Sequence, residues 1–293
     1  MAEILKGIEV ANAMKEGLIA ENAALIAKGV TPRLAIVRVG ERPDDLAYER
    51  GALKRFEGLG IAVKVFAFRE DIGQDEFEVR FERINFDESV HGILLFRPLP
   101  KHLDEKIILK IIDPEKDIDG MCDTNIAKVF AGDESGYAPC TPEGVIELLK
   151  HFEVPLKGAK VTLVGRSMVV GKPLAMLLLK EHATVTICHT RTKDLAAECR
   201  AAEILIAAAG AAKMIKAEHV SEGAVVIDVG INVDEDGNLC GDVDFEAVEP
   251  LASKITPVPG GVGSVTTSVL AAHTLKAAGK YSDLLRRIDE ENI

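Results

Sequence analysis

Paired cysteines, basic residues and long apolar runs are all scarce in this chain of 293 residues. Its five cysteines (Cys122, Cys140, Cys188, Cys199, Cys240) form no CxxC pair and have no histidine at metal-binding spacing. That argues against a zinc ribbon or a disulfide scaffold and fits reduced thiols in a cytoplasmic protein. Lys and Arg total 35 against 47 Asp and Glu, a formal net charge of −12, which argues against a nucleic-acid surface. No apolar run approaches the roughly 20 residues needed to cross a bilayer, so no membrane partner is expected. The opening MAEILKGIEVANAMKEGL mixes acids and lysines in an amphipathic helix pattern and lacks the apolar core of a signal peptide. Repeats and low-complexity segments are missing too. What is present is a chain 47% hydrophobic and long enough for two domains.

The most informative stretch is KVTLVGRSMVVGKPLAMLLLKEH, residues 160–182. A β-rich run (161–164) turns at Gly165, and after five residues Gly171 and Pro173 lead into an apolar run at helical spacing. This reads as strand, glycine turn and helix, with Pro173 at the first helical position. Glycines let backbone approach a ligand closely, and the free N–H groups at a helix start attract phosphate. The turn is not a P-loop, because five residues separate the glycines and Pro173 occupies the Ser/Thr position. Nor is it GxGxxG, because Arg166 and Ser167 fill its middle. A guanidinium and a hydroxyl beside a nucleotide turn suit a 2′-phosphate and favour NADP, with NAD still possible. An ordinary tight turn between strand and helix is the competing reading.

Around this stretch, strands and helices alternate. Strands are expected at 32–40, 61–68 and 91–100, with helices at 46–59 (capped by Asp44 or Asp45), 74–85 and 103–112. Asp117-Ile118-Asp119-Gly120 reads as a turn or as a carboxylate site for a heterocycle's N–H donors; an EF-hand is excluded for want of ligands. Thr141 and Pro142 look like an N-cap and first helical residue. Further on, strands at 184–188, 204–208 and 224–229 and a helix at 194–202 give repeated βα units, and Asp236-Gly237 marks a hairpin-like turn. A Pro/Gly-dense loop at 257–267 precedes a helix at 268–278. Such alternation implies an α/β protein with parallel sheets, Rossmann-like in its second half.

Taken in order, VGRSMVVGKP (164–173), CHTRTKDL (188–195), GAVVIDVGIN (223–232), GDVDF (241–245), TPVPGGVG (256–263), PEKDIDG (114–120) and PCTPEG (139–144) make the chain resemble the methylenetetrahydrofolate dehydrogenase/cyclohydrolase family, the FolD-type bifunctional folate enzymes. The resemblance implies a catalytic, folate-binding domain (1–140 plus 268–293) and a Rossmann NAD(P)-binding domain (141–267) that forms homodimers. It implies NADP-dependent oxidation of 5,10-methylene- to 5,10-methenyl-tetrahydrofolate, then hydrolysis to 10-formyl-tetrahydrofolate. Gly165, Arg166, Ser167, Gly171, Pro173, Thr190 and Ile231 would hold the cofactor. Tyr48, Phe96, Pro98, Leu99, Asp119, Pro259, Gly260 and Gly261 would meet the folate, with Tyr48 and Asp119 at the catalytic centre.

Several positions depart from the family pattern. Its lysine four residues after the tyrosine is Ala52 here, and its glutamine partner is Phe96. Asp45 replaces a serine, and Ser264-Val265 replaces Pro-Met. Hydride transfer needs no protein acid or base, whereas hydrolysis needs an activated water and moved protons. A dehydrogenase with weak or absent cyclohydrolase is therefore expected, unless another cation such as Lys54, Arg50 or Arg97 substitutes. Arginine would act only electrostatically. A folate- or nucleotide-binding protein without catalysis is the alternative from another class.

Overall fold

The computed structural model describes residues 1–291. The chain opens with β1 (Glu3–Ile4) and α1 (Gly7–Ala27). It continues through β2 (Arg33–Val39), α2 (Pro43–Glu57), β3 (Ala62–Phe68), α3 (Gln74–Asn85), β4 (Gly92–Leu95), α4 (Glu105–Ile111) and α5 (Asp123–Ala131). Next come α6 (Cys140–His151), β5 (Lys160–Val164), α7 (Gly171–Lys180), β6 (Thr184–Cys188), α8 (Leu195–Arg200), β7 (Ile204–Ala207) and β8 (Val225–Asp228). The short pair β9 (Asn232–Val233) and β10 (Leu239–Cys240), α9 (Phe245–Val248), β11 (Lys254–Ile255) and α10 (Gly263–Glu291) complete the order. Two compact units result: Met14–Ala138 with the chain from Thr267 onward, and Met1–Ala13 with Pro139–Thr266.

The first unit holds a parallel sheet in the order β3-β2-β4. Its central strand reads Leu34-Ala35-Ile36-Val37, all fully buried, as a parallel strand covered on both faces requires. Phe77 and Phe81 from α3 and Ile108 from α4 pack on Ala35, Val37, Ile93 and Leu95. The sequence gives no clear signal for α5. Asn125, fully buried there, gives its amide to the carbonyls of Pro114 (2.9 Å) and Asp117 (3.1 Å) and to the Asp117 carboxylate (2.9 Å). Tertiary hydrogen bonding rather than periodicity fixes that helix, and Gly132 closes it at φ 72°.

The second unit is a six-stranded parallel sheet, order β1-β11-β8-β7-β5-β6, with β9 and β10 paired antiparallel beside it. The chain's opening differs from expectation. Residues 3–4 are a strand pairing Lys254 and Ile255, so residues 1–13 pack with the Rossmann unit and not with the unit expected for them. Lys254 secures this edge, its ammonium 2.6 Å from Glu3.

Helix starts also moved. Arg42 is the N-cap of α2 and Pro43 its first residue, leaving Asp44 and Asp45 in the first turn, where carboxylates suit the helix dipole. α6 begins at Cys140 after the N-cap Pro139, so Thr141 lies inside the helix. α7 begins at Gly171, two residues before Pro173. α10 begins at Gly263 instead of 268 and runs well past 278. Its buried Thr266 and Thr274 satisfy their hydroxyls on the carbonyls one turn back, Val262 (3.3 Å) and Leu270 (2.9 Å).

Candidate functional site

Within the first unit, Tyr48 on α2 and Phe96, Pro98 and Leu99 after β4 come together. Arg38 anchors α2: its Nε meets Glu49 Oε2 at 2.9 Å and a terminal nitrogen donates to the Gly40 carbonyl at 2.7 Å. Arg42 donates to the Pro98 carbonyl at 3.2 Å, tying the helix start to the loop after β4. Tyr48, half-buried on α2, meets Phe96 edge to face with 5.8 Å between centroids. One helical turn on, where Cβ atoms share a face, Ala52 is fully buried. Asp45 is held above the usual carboxylate range by burial, against the pull of Arg42.

The structure places the three cations considered above on exposed or already engaged sites. Lys54 and Arg50 are exposed, away from the buried position of Ala52. Arg97 is engaged with Glu105 at 3.1 Å, and Glu105 also accepts the Leu99 N–H at 3.3 Å. Leu99 is buried and Pro98 exposed.

The acidic turn separates its two aspartates. Asp117 is fully buried and accepts the N–H groups of Met121 (3.0 Å) and Cys122 (2.8 Å) as well as the Asn125 amide. Burial and this neighbouring carboxylate push the Cys122 thiol up to about 12. Asp119, the candidate carboxylate, is half-buried. Between them, Ile118 passes its carbonyl to His273 Nδ1 of α10 at 2.7 Å.

In the second unit the cofactor turn has the shape its glycines demand. Gly165 has φ 129°, and a Cβ there would lie 2.1 Å from the Ala208 carbonyl oxygen. A Cβ on Gly171 would lie 2.3 Å from the Gly165 carbonyl oxygen. The two glycines thus let the turn fold onto itself and onto the strand end beside it. Ser167 Oγ accepts the N–H groups of Val170 (3.0 Å) and Gly171 (3.4 Å), which leaves its own O–H as a donor. Arg166 is exposed and Pro173 buried.

The register pairs Val164 with Cys188, so Arg166 and Thr190 each lie two residues beyond adjacent strand ends. The turn after β6 is closed by Thr192 Oγ1 accepting the His189 N–H (2.9 Å) and His189 Nδ1 accepting the Arg191 N–H (3.1 Å). His189 is thus a turn-forming residue, and Cys140 is a packed one at 1% exposure. Ile231 is 70% exposed beyond β8. Pro259 and Gly260 are exposed and Gly261 buried. Gly7 supports that loop, its N–H on the Gly260 carbonyl at 2.9 Å, with no room for a Cβ against Gly261.

Two further carboxylates, Asp228 and Asp242, are buried in this unit. The sequence signal for them is a carboxylate set in an otherwise apolar or small-residue run, VVIDVG and GDVDF. Burial and the nearby Asp242 carboxylate raise Asp228 to about 6 against the pull of three backbone N–H donors.

Two family models match the chain: the tetrahydrofolate dehydrogenase/cyclohydrolase catalytic domain over residues 5–119 and the NAD(P)-binding domain of the same family over 139–282. The bifunctional protein FolD of Clostridioides difficile is 59% identical over 275 residues, covering 94% of this chain and 96% of that one. The crystal structure of the bifunctional FolD methylenetetrahydrofolate dehydrogenase/cyclohydrolase of Campylobacter jejuni superposes with a TM-score of 0.92 at 41% identity, over 96% of this chain and 99% of that one. The Trypanosoma brucei FolD enzyme, solved with NADP cofactor and inhibitor, gives 0.90 at 36%, over 95% and 98%. The chain belongs to the tetrahydrofolate dehydrogenase/cyclohydrolase family.

Proposed function

We propose that the protein oxidises 5,10-methylene-tetrahydrofolate to 5,10-methenyl-tetrahydrofolate with NADP, and hydrolyses the methenyl product poorly or not at all. The observation that carries this reading is the contrast between the two halves of the site. The turn from Gly165 to Gly171 keeps the close backbone approach that a dinucleotide needs, whereas Ala52 and Phe96 stand where the family pattern has a lysine and a glutamine.

NADP, when bound, supplies the hydride acceptor. Arg166, the Ser167 hydroxyl and Thr190 would hold its 2′-phosphate, and the Gly165–Gly171 turn would let backbone come close to its pyrophosphate. Ile231 and the 259–261 loop lie against the nicotinamide. Tyr48, backed by the buried Phe96, would present aromatic surface to the flat folate, and the Asp119 carboxylate would accept from the pteridine's N–H donors. Oxidation of the one-carbon bridge leaves a cation stabilised by its own two nitrogens, so positioning is the protein's main contribution. Hydrolysis demands a group that accepts a proton from water and passes it on. Arg38, Arg42 and Arg97 are permanently protonated and cannot do so.

A homodimer fits the sheet's open edge: β6 pairs only with β5, and Ile187 and nearby Leu179 are exposed. We place the protein in the cytoplasm on its five buried cysteine thiols, which form no disulfide.

The test is to give purified protein 5,10-methylene-tetrahydrofolate with NADP, then with NAD, while following reduced cofactor and methenyl-folate separately. Reduced NADP with accumulating methenyl-folate is expected. Prompt conversion to formyl-folate would overturn the loss of hydrolysis. No reduced cofactor would overturn the dehydrogenase and leave a binding protein.

A further inference from the structure

Resting on that cofactor reading, we infer that Asp242 is a positioning residue for the dinucleotide, acting through the loops that leave β7 and β8. Asp242 is fully buried, and its carboxylate is surrounded by donors from both loops. Oδ2 accepts the N–H groups of Ala209 (2.6 Å) and Gly210 (3.0 Å). Oδ1 accepts that of Ala211 (2.8 Å) and the side-chain amide of Asn232 (2.9 Å). Three consecutive backbone donors of one loop and one side chain of the other thus converge on a single anion, and charge-assisted hydrogen bonds of this kind are the strong ones.

Each loop leads directly to a proposed cofactor contact. Ala208, just before the three donors, has its carbonyl against Gly165, close enough to exclude a Cβ there. Asn232 follows Ile231, the exposed residue proposed to lie near the nicotinamide. Moving Asp242 therefore moves both the phosphate turn and the nicotinamide side.

Asp242 is itself fixed from the neighbouring strand. Asp228, at the end of β8, accepts the N–H groups of Gly230 (3.0 Å) and Asp242 (2.9 Å) at Oδ1 and of Val243 (2.9 Å) at Oδ2. Neither glycine beside these carboxylates admits a side chain: a Cβ on Gly230 would lie 2.3 Å from the Asp242 carboxylate, and one on Gly241 1.8 Å from that of Asp228. The segment is further strapped down by the Ile215 N–H on the Asp242 carbonyl (2.9 Å) and the Asp244 N–H on the Ile215 carbonyl (2.8 Å). A pair of carboxylates thus ties together the loops that leave two adjacent strand ends. An amide in place of Asp242 would turn an NH2 group toward backbone N–H donors, so Asp242→Asn is a sharp perturbation at nearly constant volume.

The experiment measures NADPH affinity by direct titration, and KM for NADP and for methylene-folate separately, on the wild type, Asp242→Asn and Asn232→Ala. Asp242→Asn should weaken NADPH binding and raise the KM for NADP about tenfold or more, with the KM for folate changed by less than about twofold. Asn232→Ala removes one donor and leaves the carboxylate three, so it should shift cofactor affinity in the same direction by about two- to fivefold. Hydrogen exchange should show the amides of residues 209–211 losing protection in Asp242→Asn while those of β5 keep theirs. A folded Asp242→Asn protein with wild-type NADPH affinity, or one whose two KM values rise together, overturns the inference. If Asp242→Asn does not fold, Asn232→Ala decides the matter by the same split. Failure of the wild type to bind NADPH would instead bring down the cofactor reading itself, and this inference with it.

Discussion

Tyr48 and Phe96 stand edge to face, their ring planes at 79° and their centroids 5.8 Å apart. An aromatic ring thus occupies the position from which the family pattern would extend a glutamine toward a lysine one turn beyond the tyrosine. On the proposed reading both members of that pair are lost together, and the second, Ala52, is sealed from solvent. Ala52→Lys alone should bury an unpartnered ammonium and destabilise the protein without restoring hydrolysis. The double variant Ala52→Lys with Phe96→Gln should raise methenyl-folate hydrolysis by about 10²-fold, the usual worth of a placed proton-transfer group, while dehydrogenase activity stays near wild type. Decay of methenyl-folate absorbance without cofactor reads this directly. No gain in the folded double variant would mean that the missing pair is not what limits hydrolysis.

Gly165→Ala probes the turn. Its φ of 129° is unfavourable for a side chain, and the new methyl would meet the Ala208 carbonyl at 2.1 Å. We expect a stability loss of about 2–4 kcal/mol in denaturant titrations, together with loss of NADPH binding.

Arg166→Ala should raise the KM for NADP about 10- to 100-fold, the worth of a charge-assisted hydrogen bond, and leave that for NAD nearly unchanged. Arg166→Lys should recover part of the loss, because the charge stays but the planar fork does not. Equal effects on both cofactors would place Arg166 away from the 2′-phosphate.

His91 gives the protein an acid limb. It is 6% exposed, its Nδ1 accepts the Arg33 N–H at 3.3 Å, and its Nε2 has no partner. Burial first, then Lys116 and Arg33, lower its pKa from 6.5 to about 4. The unfolded chain takes up this proton between about pH 6.5 and 4 while the folded chain does not. Stability should therefore fall as pH drops through that window, by up to about 3 kcal/mol from this group. Denaturation midpoints from pH 7 to 4.5 should slope less in His91→Leu than in the wild type. Parallel slopes would assign the acid limb to other groups.

Much of this molecule is legible in its sequence because the signals are local. A buried parallel strand is written as Leu34-Ala35-Ile36-Val37, and the glycines of the cofactor turn are demanded by backbone conformation alone. Helix α3 has the expected ends, 74 and 85, because its apolar residues recur at helical spacing. The misses share a different cause. β1 is two residues long and exists only because β11 offers it a partner some 250 positions away. α5 is set by the amide of Asn125 reaching the Asp117 turn. The roles of Asp228 and Asp242 depend on amides from three separate loops, which no window of sequence brings together. Where a helix start is read from residue type, as with Thr141 for a cap and Pro173 for a first helical residue, the helix begins one or two residues earlier, at Cys140 and Gly171.

The pairing of β1 with β11 also bears on how the protein is made. Neither compact unit is a continuous stretch of chain: one lacks its closing helix until the segment after Thr267 is synthesised, and the other holds its first strand idle until Lys254 and Ile255 emerge from the ribosome. The order of completion is thereby inverted: the unit holding β1 has all its strands once Ile255 is made, whereas the unit begun at Met14 waits for the segment beyond Thr267. A nascent chain stalled before Lys254 carries two unfinished cores, and one stalled just before Thr267 carries a single unfinished core, that of the earlier unit.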